Sequence, residues 1–201
     1  MPESIVFATN NAHKLDELRA IAAGKFDIRS LADIGCHEDI PEDADTLEGN
    51  ARQKARWIYE RYGTDCFADD TGLEVDALGG APGVHSARYA PGKGHDSAAN
   101  MRLLLHNLEG VPAAERTARF RTVIVLIRGG VEHVFHGVIE GTIAEAPRGD
   151  GGFGYDPVFV PEGWSESFAQ AGDAAKNLVS HRARATRALM DYLLNENSAT
   201  D

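Results

Sequence analysis

From Thr117 to Arg128 the chain carries a long β-type run, and Gly129-Gly130 passes it on to a second such run, Val131–Ile139. Two runs of this kind joined by a glycine pair specify a hairpin, so part of any sheet must be antiparallel. The N-terminal region has a different pattern. Ser4-Ile5-Val6-Phe7-Ala8 reads as a buried strand running into polar Thr9-Asn10-Asn11, after which Leu15, Leu18 and Ala22 recur at helical spacing until Gly24. Strands and helices alternating early, with a hairpin in the middle, predict a mixed sheet and the α/β class.

The remaining elements follow from local signals. Phe26–Leu31 is a second strand candidate, and Cys36–Asp45 an acidic loop containing Pro41. Asp45-Thr46-Leu47-Glu48 has the capping-box form and opens a helix through Tyr62 that Gly63 ends. Asp65–Ala68 reads as a short strand, Asp69–Gly72 as a turn, and Leu73–Val75 as the strand returning from it. Gly79–Gly83 is a loop. Asp96 caps a helix with Met101, Leu104, Leu105 and Leu108 on one face, and Gly149–Pro157 is glycine-rich. Ser180 opens a last helix reaching about Asn195, followed by a frayed tail.

The chain has 201 residues, 43% of them hydrophobic, enough for the core of one domain spanning 1–201, with room for two lobes. No signal peptide or membrane span is evident, which predicts a soluble, cytoplasmic protein. Cys36 and Cys66 are far apart and form no CxxC pair, so they read as reduced thiols. The net charge of −11 argues against polymeric nucleic acid and membrane surfaces as partners. An anionic ligand would need a local basic pocket.

Several constellations carry chemistry. Asp69 and Asp70 are adjacent acids at a strand end, where side chains alternate between faces, so one would face a site while the other braces it. Mg²⁺ takes hard oxygen ligands, commonly one or two carboxylates with waters and phosphates, which suits Asp70 and an acid of the 38–45 loop. Asp-Asp-Thr-Gly is also a good turn sequence, and that reading stays open. Thr9-Asn10-Asn11-Ala12-His13-Lys14 lies at a strand-to-helix junction, where backbone N–H groups and the helix dipole favour an anion and Lys14 adds a charge; a plain N-cap is the alternative.

Gly149-Asp150-Gly151-Gly152-Phe153-Gly154 matches GxGxxG formally, but Tyr155-Asp156-Pro157 follows it in place of a helix, so the dinucleotide reading fails. The loop suits closure over a base or ribose, or serves as an ordinary turn. Lys176, His181 and Arg182 gather at the start of the last helix, against the preference of the dipole. His181 and Arg182 facing a pocket would donate to a purine with oxygen at position 6 and oppose an adenine amino group, a difference of about 1–3 kcal/mol per unpaired donor. A solvated basic helix start is the plainer reading. His133 and His136 fall on opposite strand faces and make a poor metal pair, while Arg119 and Arg121 read as an exposed basic stripe. No GxxxxGK[ST], GxSxG or HExxH occurs.

In order, Thr9-Asn10-Asn11-x-x-Lys14, Asn50-Ala51-x-x-Lys54-Ala55, Ala68-Asp69-Asp70-Thr71-Gly72-Leu73, Leu78-Gly79-Gly80-Ala81-Pro82-Gly83 with Ser86-Ala87-Arg88-Tyr89, Gly151–Pro157 and Ser180-His181-Arg182 together resemble the inosine triphosphate pyrophosphatase family over nearly the whole chain. The resemblance implies an elongated central sheet flanked by helices, two lobes with a nucleotide cleft between them, and a homodimer. It further implies Mg²⁺-dependent hydrolysis of deaminated purine triphosphates (ITP, dITP, XTP, dXTP) to the monophosphate and pyrophosphate. By motif, Asp70 is the metal ligand and proton acceptor with Asp69 beside it in the catalytic corner. Thr71 is a substrate contact and Thr9, Asn10, Asn11, Ala12, His13 and Lys14 form the triphosphate loop. Lys54 is similar to a phosphate-facing lysine, and Lys176 joins it and Lys14 on the β- and γ-phosphates. Phe153, Gly154, Tyr155, Asp156, His181 and Arg182 supply the other substrate contacts. Where relatives often carry Glu-Glu-Thr-Gly this chain has Pro41-Glu42-Asp43-Ala44, so Glu42 is assigned as second metal ligand with Asp43 in reserve. Two rivals are an aspartic protease, which shares Asp-Thr-Gly, and a nucleotide sensor without turnover.

Overall fold

The computed structural model describes residues 3–92 and 94–198, with the side chains of 197 and 198 excepted. A seven-stranded mixed sheet is formed by β1 (Glu3–Phe7), β2 (Phe26–Arg29), β3 (Cys66–Val75), β4 (Pro82–Gly83), β5 (Thr117–Arg128), β6 (Val131–Ile143) and β7 (Phe159–Pro161). The helices are α1 (Ala12–Ala22), α2 (Leu47–Tyr62), α3 (Ser97–Asn107), α4 (Phe168–Ala171), α5 (Asp173–Val179) and α6 (His181–Ser198). Strand order is β2-β1-β3-β5-β6-β7, with β4 paired to β3. β1 pairs parallel with both β2 and β3, while β3/β4 and β6/β7 are antiparallel, as the mixed-sheet reading requires. Among the described residues no helix is long and apolar enough to cross a membrane.

The chain divides into two compact units. The first comprises the chain up to Asp70, Thr122–Gly137 and the chain from Arg182 onward. Its strands are sandwiched between helices. On one sheet face Ile5, Phe7, Phe67, Ile124 and Leu126 pack with Leu18 and Ala22 of α1 and Ala185, Leu189 and Leu193 of α6. On the other, Val6, Ala8, Cys66, Ala68 and Val125 pack with Ala51, Ala55 and Ile58 of α2. Period-2 alternation from Cys66 to Asp70 of β3 thus sends odd-numbered side chains toward α1 and α6 and even-numbered ones toward α2. Cys66, a free thiol on the α2 side, is pushed up to about 12 by burial and donates to the Ala55 carbonyl at 3.3 Å. It reads as a small core residue, in keeping with the reduced-thiol expectation.

The second unit comprises Thr71–Arg121 and Val138–His181. Its core joins Leu73, Val75, Phe120, Ile139 and Ile143 to Leu104 of α3, to Leu108 just after it, and to Phe159 and Phe168. The Ser86 hydroxyl accepts from Leu73 N–H at 2.8 Å and donates to the Gly83 carbonyl at 2.6 Å, tying β3 to the loop after β4.

Five sequence expectations change. Asp69–Gly72 is no turn: β3 runs unbroken from Cys66 to Val75, with Val6 and Phe7 against Cys66 and Phe67, and Gly83 against Leu73. Tertiary pairing overrides the turn preference of Asp-Asp-Thr-Gly. The α2 cap is Thr46, whose hydroxyl accepts from Gly49 N–H; Glu48 pairs instead with Arg52 at 2.7 Å, so no capping box forms. Lys176 belongs to the separate helix α5, which Ser180 ends before α6 begins. Arg119 and Arg121 are no basic stripe, because Glu74, Asp76 and Glu140 surround them as ion-pair partners. The final helix extends to Ser198; of the expected frayed tail, residues 199–201 lie outside those described.

Candidate active site

Most of the first unit's site residues converge on β3. Asp69, on the odd-numbered face, lies against Lys14 of α1, with Nζ to Oδ1 at 3.2 Å, and against Arg182 of α6, with Nε to Oδ2 at 3.4 Å. Arg182 also donates to Glu17, one turn beyond Lys14 on α1. Lys14, Asp69, Arg182 and Glu17 therefore form a ring of alternating charge closed by the helix. Burial alone would push Asp69 up, but Lys14 first, then Arg182 and Lys54, overcome it and hold the carboxyl far below its ordinary range. The Lys14 ammonium is shifted down, chiefly by burial, with Lys54 and Arg182 adding repulsion that Asp69 does not cancel.

Asp70 points the other way, toward α2 and the acidic loop. Asn50 donates to its Oδ2 at 3.0 Å, and Glu42 lies within hydrogen-bond reach of it. Burial first, aided by the charge of Glu42, pushes the Asp70 carboxyl up to about 6 against the pull of Lys54 and Lys14. Glu42 shifts the opposite way: burial opposes its charge, but Lys54, 2.9 Å from its Oε1, outweighs that. Lys54 is raised in turn, since Asp69, Asp70 and Glu42 together exceed the cost of its own burial. Asp43 is directed elsewhere, to the Gln53 amide at 2.6 Å, so the geometry favours Glu42 as the partner of Asp70.

At the mouth of α1, Asn11 is the N-cap and accepts from Lys14 N–H at 3.1 Å, while Thr9 accepts from Asn11 N–H at 3.1 Å. Asn10, Asn11, Ala12 and His13 are exposed, so an anion can reach the positive end of the helix. Thr71, the first residue of the second unit, is half-buried on β3.

The second unit holds its own cluster. Asp156 is buried and accepts at Oδ2 from Phe153 N–H at 3.0 Å and from Lys176 Nζ at 2.9 Å. The Lys176 ammonium sits 4.6 Å from the Phe153 ring centre, a cation–π arrangement. His181 stacks on Phe120 at 4.6 Å between ring centres. Tyr155, expected to touch substrate, donates its hydroxyl to the Ser86 carbonyl at 2.7 Å and packs in the core; burial raises its phenol. Lys176, expected on the phosphates, faces Asp156 and two aromatic rings. Arg182, expected to read the base, faces Asp69 and Glu17 in the first unit. Gly154 is half-buried with φ +63°, a conformation that suits glycine.

The glycine-rich loop has its composition for close approach rather than for motion alone. At Gly152 (φ +71°) a Cβ would collide with the Asp156 carboxylate. Gly152→Ala should therefore cost about 1–2 kcal/mol for its left-handed backbone alone and displace Asp156 from Lys176. A urea-unfolding midpoint equal to wild type would refute this.

Sequence reasoning gave no role to Glu17 and Asn50. The signal for Glu17 was helical spacing, one turn after Lys14; Asn50 stood one turn before Lys54 in the motif Asn50-Ala51-x-x-Lys54-Ala55 without a role attached to it.

The carboxylate pair fits a hard divalent cation. Asp70 and Glu42, within hydrogen-bond reach of each other, match the one or two protein carboxylates such an ion takes, with water and phosphate completing its shell. Among the described residues no cluster of three or more His, Cys, Asp or Glu side chains offers an all-protein cage.

The fold is an α/β sheet whose interior strand carries two buried carboxylates, Asp69 and Asp70, met by lysines of α1 and α2. The chain belongs to the Ham1 family, whose model matches residues 5–192. It is 59% identical to a dITP/XTP pyrophosphatase of Porphyromonas gingivalis over 96% of this chain and 98% of that one. Its fold is similar to those of a HAM1 protein from Coxiella burnetii (TM-score 0.87, 36% identity, covering 96% of this chain and 99% of that one) and the Ham1 protein of Staphylococcus aureus (TM-score 0.86, 33% identity, 96% and 100%).

Proposed function

We propose that the chain hydrolyses deaminated purine nucleoside triphosphates, dITP and XTP among them, to the monophosphate and pyrophosphate. The observation that carries this reading is the first-unit site: two lysines, each braced by a carboxylate, flank Asp70, a carboxyl pushed up to about 6 beside Glu42. The lysines and the α1 N-terminus suit a polyphosphate, and the kinship with dITP/XTP pyrophosphatases supports the substrate class.

In this reading Lys14 and Lys54 hold the phosphates and Asp70 takes the proton of a water attacking the α-phosphorus. Asp69 fixes the Lys14 ammonium. Asp70 and Glu42 would hold Mg²⁺, which when bound offsets negative charge on the phosphates. Positioning and charge stabilisation supply most of the rate. Phe153, Asp156, Lys176 and His181 recognise the base and ribose, with Thr71 as a further contact. The protein works as a cytoplasmic homodimer that keeps such nucleotides from the pool, a state that light scattering on the purified chain checks.

Incubation of dITP or XTP with Mg²⁺ should give one pyrophosphate per monophosphate, with dATP at least tenfold poorer, and chelation should stop turnover. Release of orthophosphate, or equal use of dATP, would overturn the assignment.

A further inference from the structure

We infer that Asn50 is the positioning residue that sets the distance between Asp70 and the loop carrying Glu42, and so assembles the cation site; this rests on the function proposed above. One amide spans both halves. Its Oδ1 accepts from Ala44 N–H at 2.8 Å, two residues after Glu42, and its Nδ2 donates to Asp70 Oδ2 at 3.0 Å. The orientation of the amide follows from chemistry. A backbone N–H can only donate, so the atom facing Ala44 is the oxygen, and the NH₂ is then obliged to face Asp70.

The side chain is 4% exposed and sits in the first turn of α2, whose N-terminus is fixed by the Thr46 cap. The bond to Asp70 is buried and the bond to Ala44 partly buried, so the first in particular resists replacement by solvent. The acidic loop has little regular structure of its own between Cys36 and Asp45. Its bond to Asn50, with the Asp43–Gln53 pair, secures it on α2. Only asparagine at this position offers an acceptor to the loop and a donor to a carboxylate at this reach. Aspartate would keep the first bond and turn the second into a repulsion; alanine would lose both.

Groups that orient metal-binding side chains typically alter metal affinity about 10–100-fold when removed. The test compares the full-length wild type, Asn50→Ala and Asn50→Asp in two measurements. The first is Mn²⁺ binding without nucleotide, followed by electron paramagnetic resonance. The second is pyrophosphate release from dITP across a Mg²⁺ titration, with folding checked by thermal melting. Both variants should bind Mn²⁺ about tenfold or more weakly and need correspondingly more Mg²⁺ for half-maximal rate. The nucleotide KM at saturating Mg²⁺ should change by less than about threefold, because uniform substrate binding is untouched.

Wild-type Mn²⁺ affinity in folded Asn50→Ala would overturn the inference, as would tighter binding in Asn50→Asp, since the position would then act merely as one more acid. If the wild type fails to cleave dITP, the functional reading falls, while Mn²⁺ binding still decides the role of Asn50.

Discussion

Asp70→Asn will lower pyrophosphate release from dITP by about a hundred- to ten-thousand-fold, the range expected when a positioned proton acceptor is removed. The melting temperature without metal will stay at or above that of wild type. Both halves follow from the environment of the carboxyl. Burial and Glu42 push it up to about 6, so at neutral pH the fold gains nothing from its charge. A neutral amide of the same shape keeps an acceptor for Asn50 Nδ2 and loses only the chemistry. Turnover within threefold of wild type would remove Asp70 from its role. A large fall in melting temperature would show that the charge supports the fold instead.

Arg182→Met should unfold the protein at markedly lower temperature. Arg182 is 1% exposed and lies between two carboxylates, Asp69 and Glu17. Removing the guanidinium leaves both acids buried without that cation, a loss of about 3–5 kcal/mol for a broken buried pair. For a chain of this size that corresponds to a fall of roughly 6–20 °C in melting temperature. The same variant separates two roles for the residue. A residue that holds Asp69 will, when removed, lower dITP and dATP turnover together at a temperature where the protein stays folded. One that reads the base will change their ratio. Melting within about 2 °C of wild type would refute the bracing role.

The helix start at Asp96 was legible because a cap is a contact between residues three apart; at Thr9-Asn10-Asn11 the junction was legible but not which residue caps it, which is Asn11. Asp45 and Thr46 are both good caps, and local signals cannot rank neighbours of equal aptitude, so that start was read one residue early. The hairpin at Gly129-Gly130 was legible for the same local reason, although β6 runs on to Ile143. The Asp69–Gly72 segment was misread because what keeps it extended is distant: β1 and β4 pair with its strand, and its charges are met from positions 14, 50 and 182. The short α5 begins at Gly172, which has no capping side chain, and so left Lys176 assigned to the wrong helix. Apart from Glu17 and Asn50, the candidate residues themselves were named in the sequence. Their pairing, Lys14 with Asp69 and Lys54 with Glu42, arises only from folding.

The strand that carries Asp69 and Asp70 is sensitive to its length. Its side chains alternate between two faces, so an extra residue inserted after Ala68 would move the first acid to the place of the second and the second to the place of Thr71, each on the opposite face from before. The salt-bridged acid would then lie beside Asn50, and the proton acceptor would stand two residues along the strand from the place that Lys14 and Arg182 meet. Chains that share this site should therefore vary freely in the loops around it, yet keep the count from Phe67 to Leu73 unchanged.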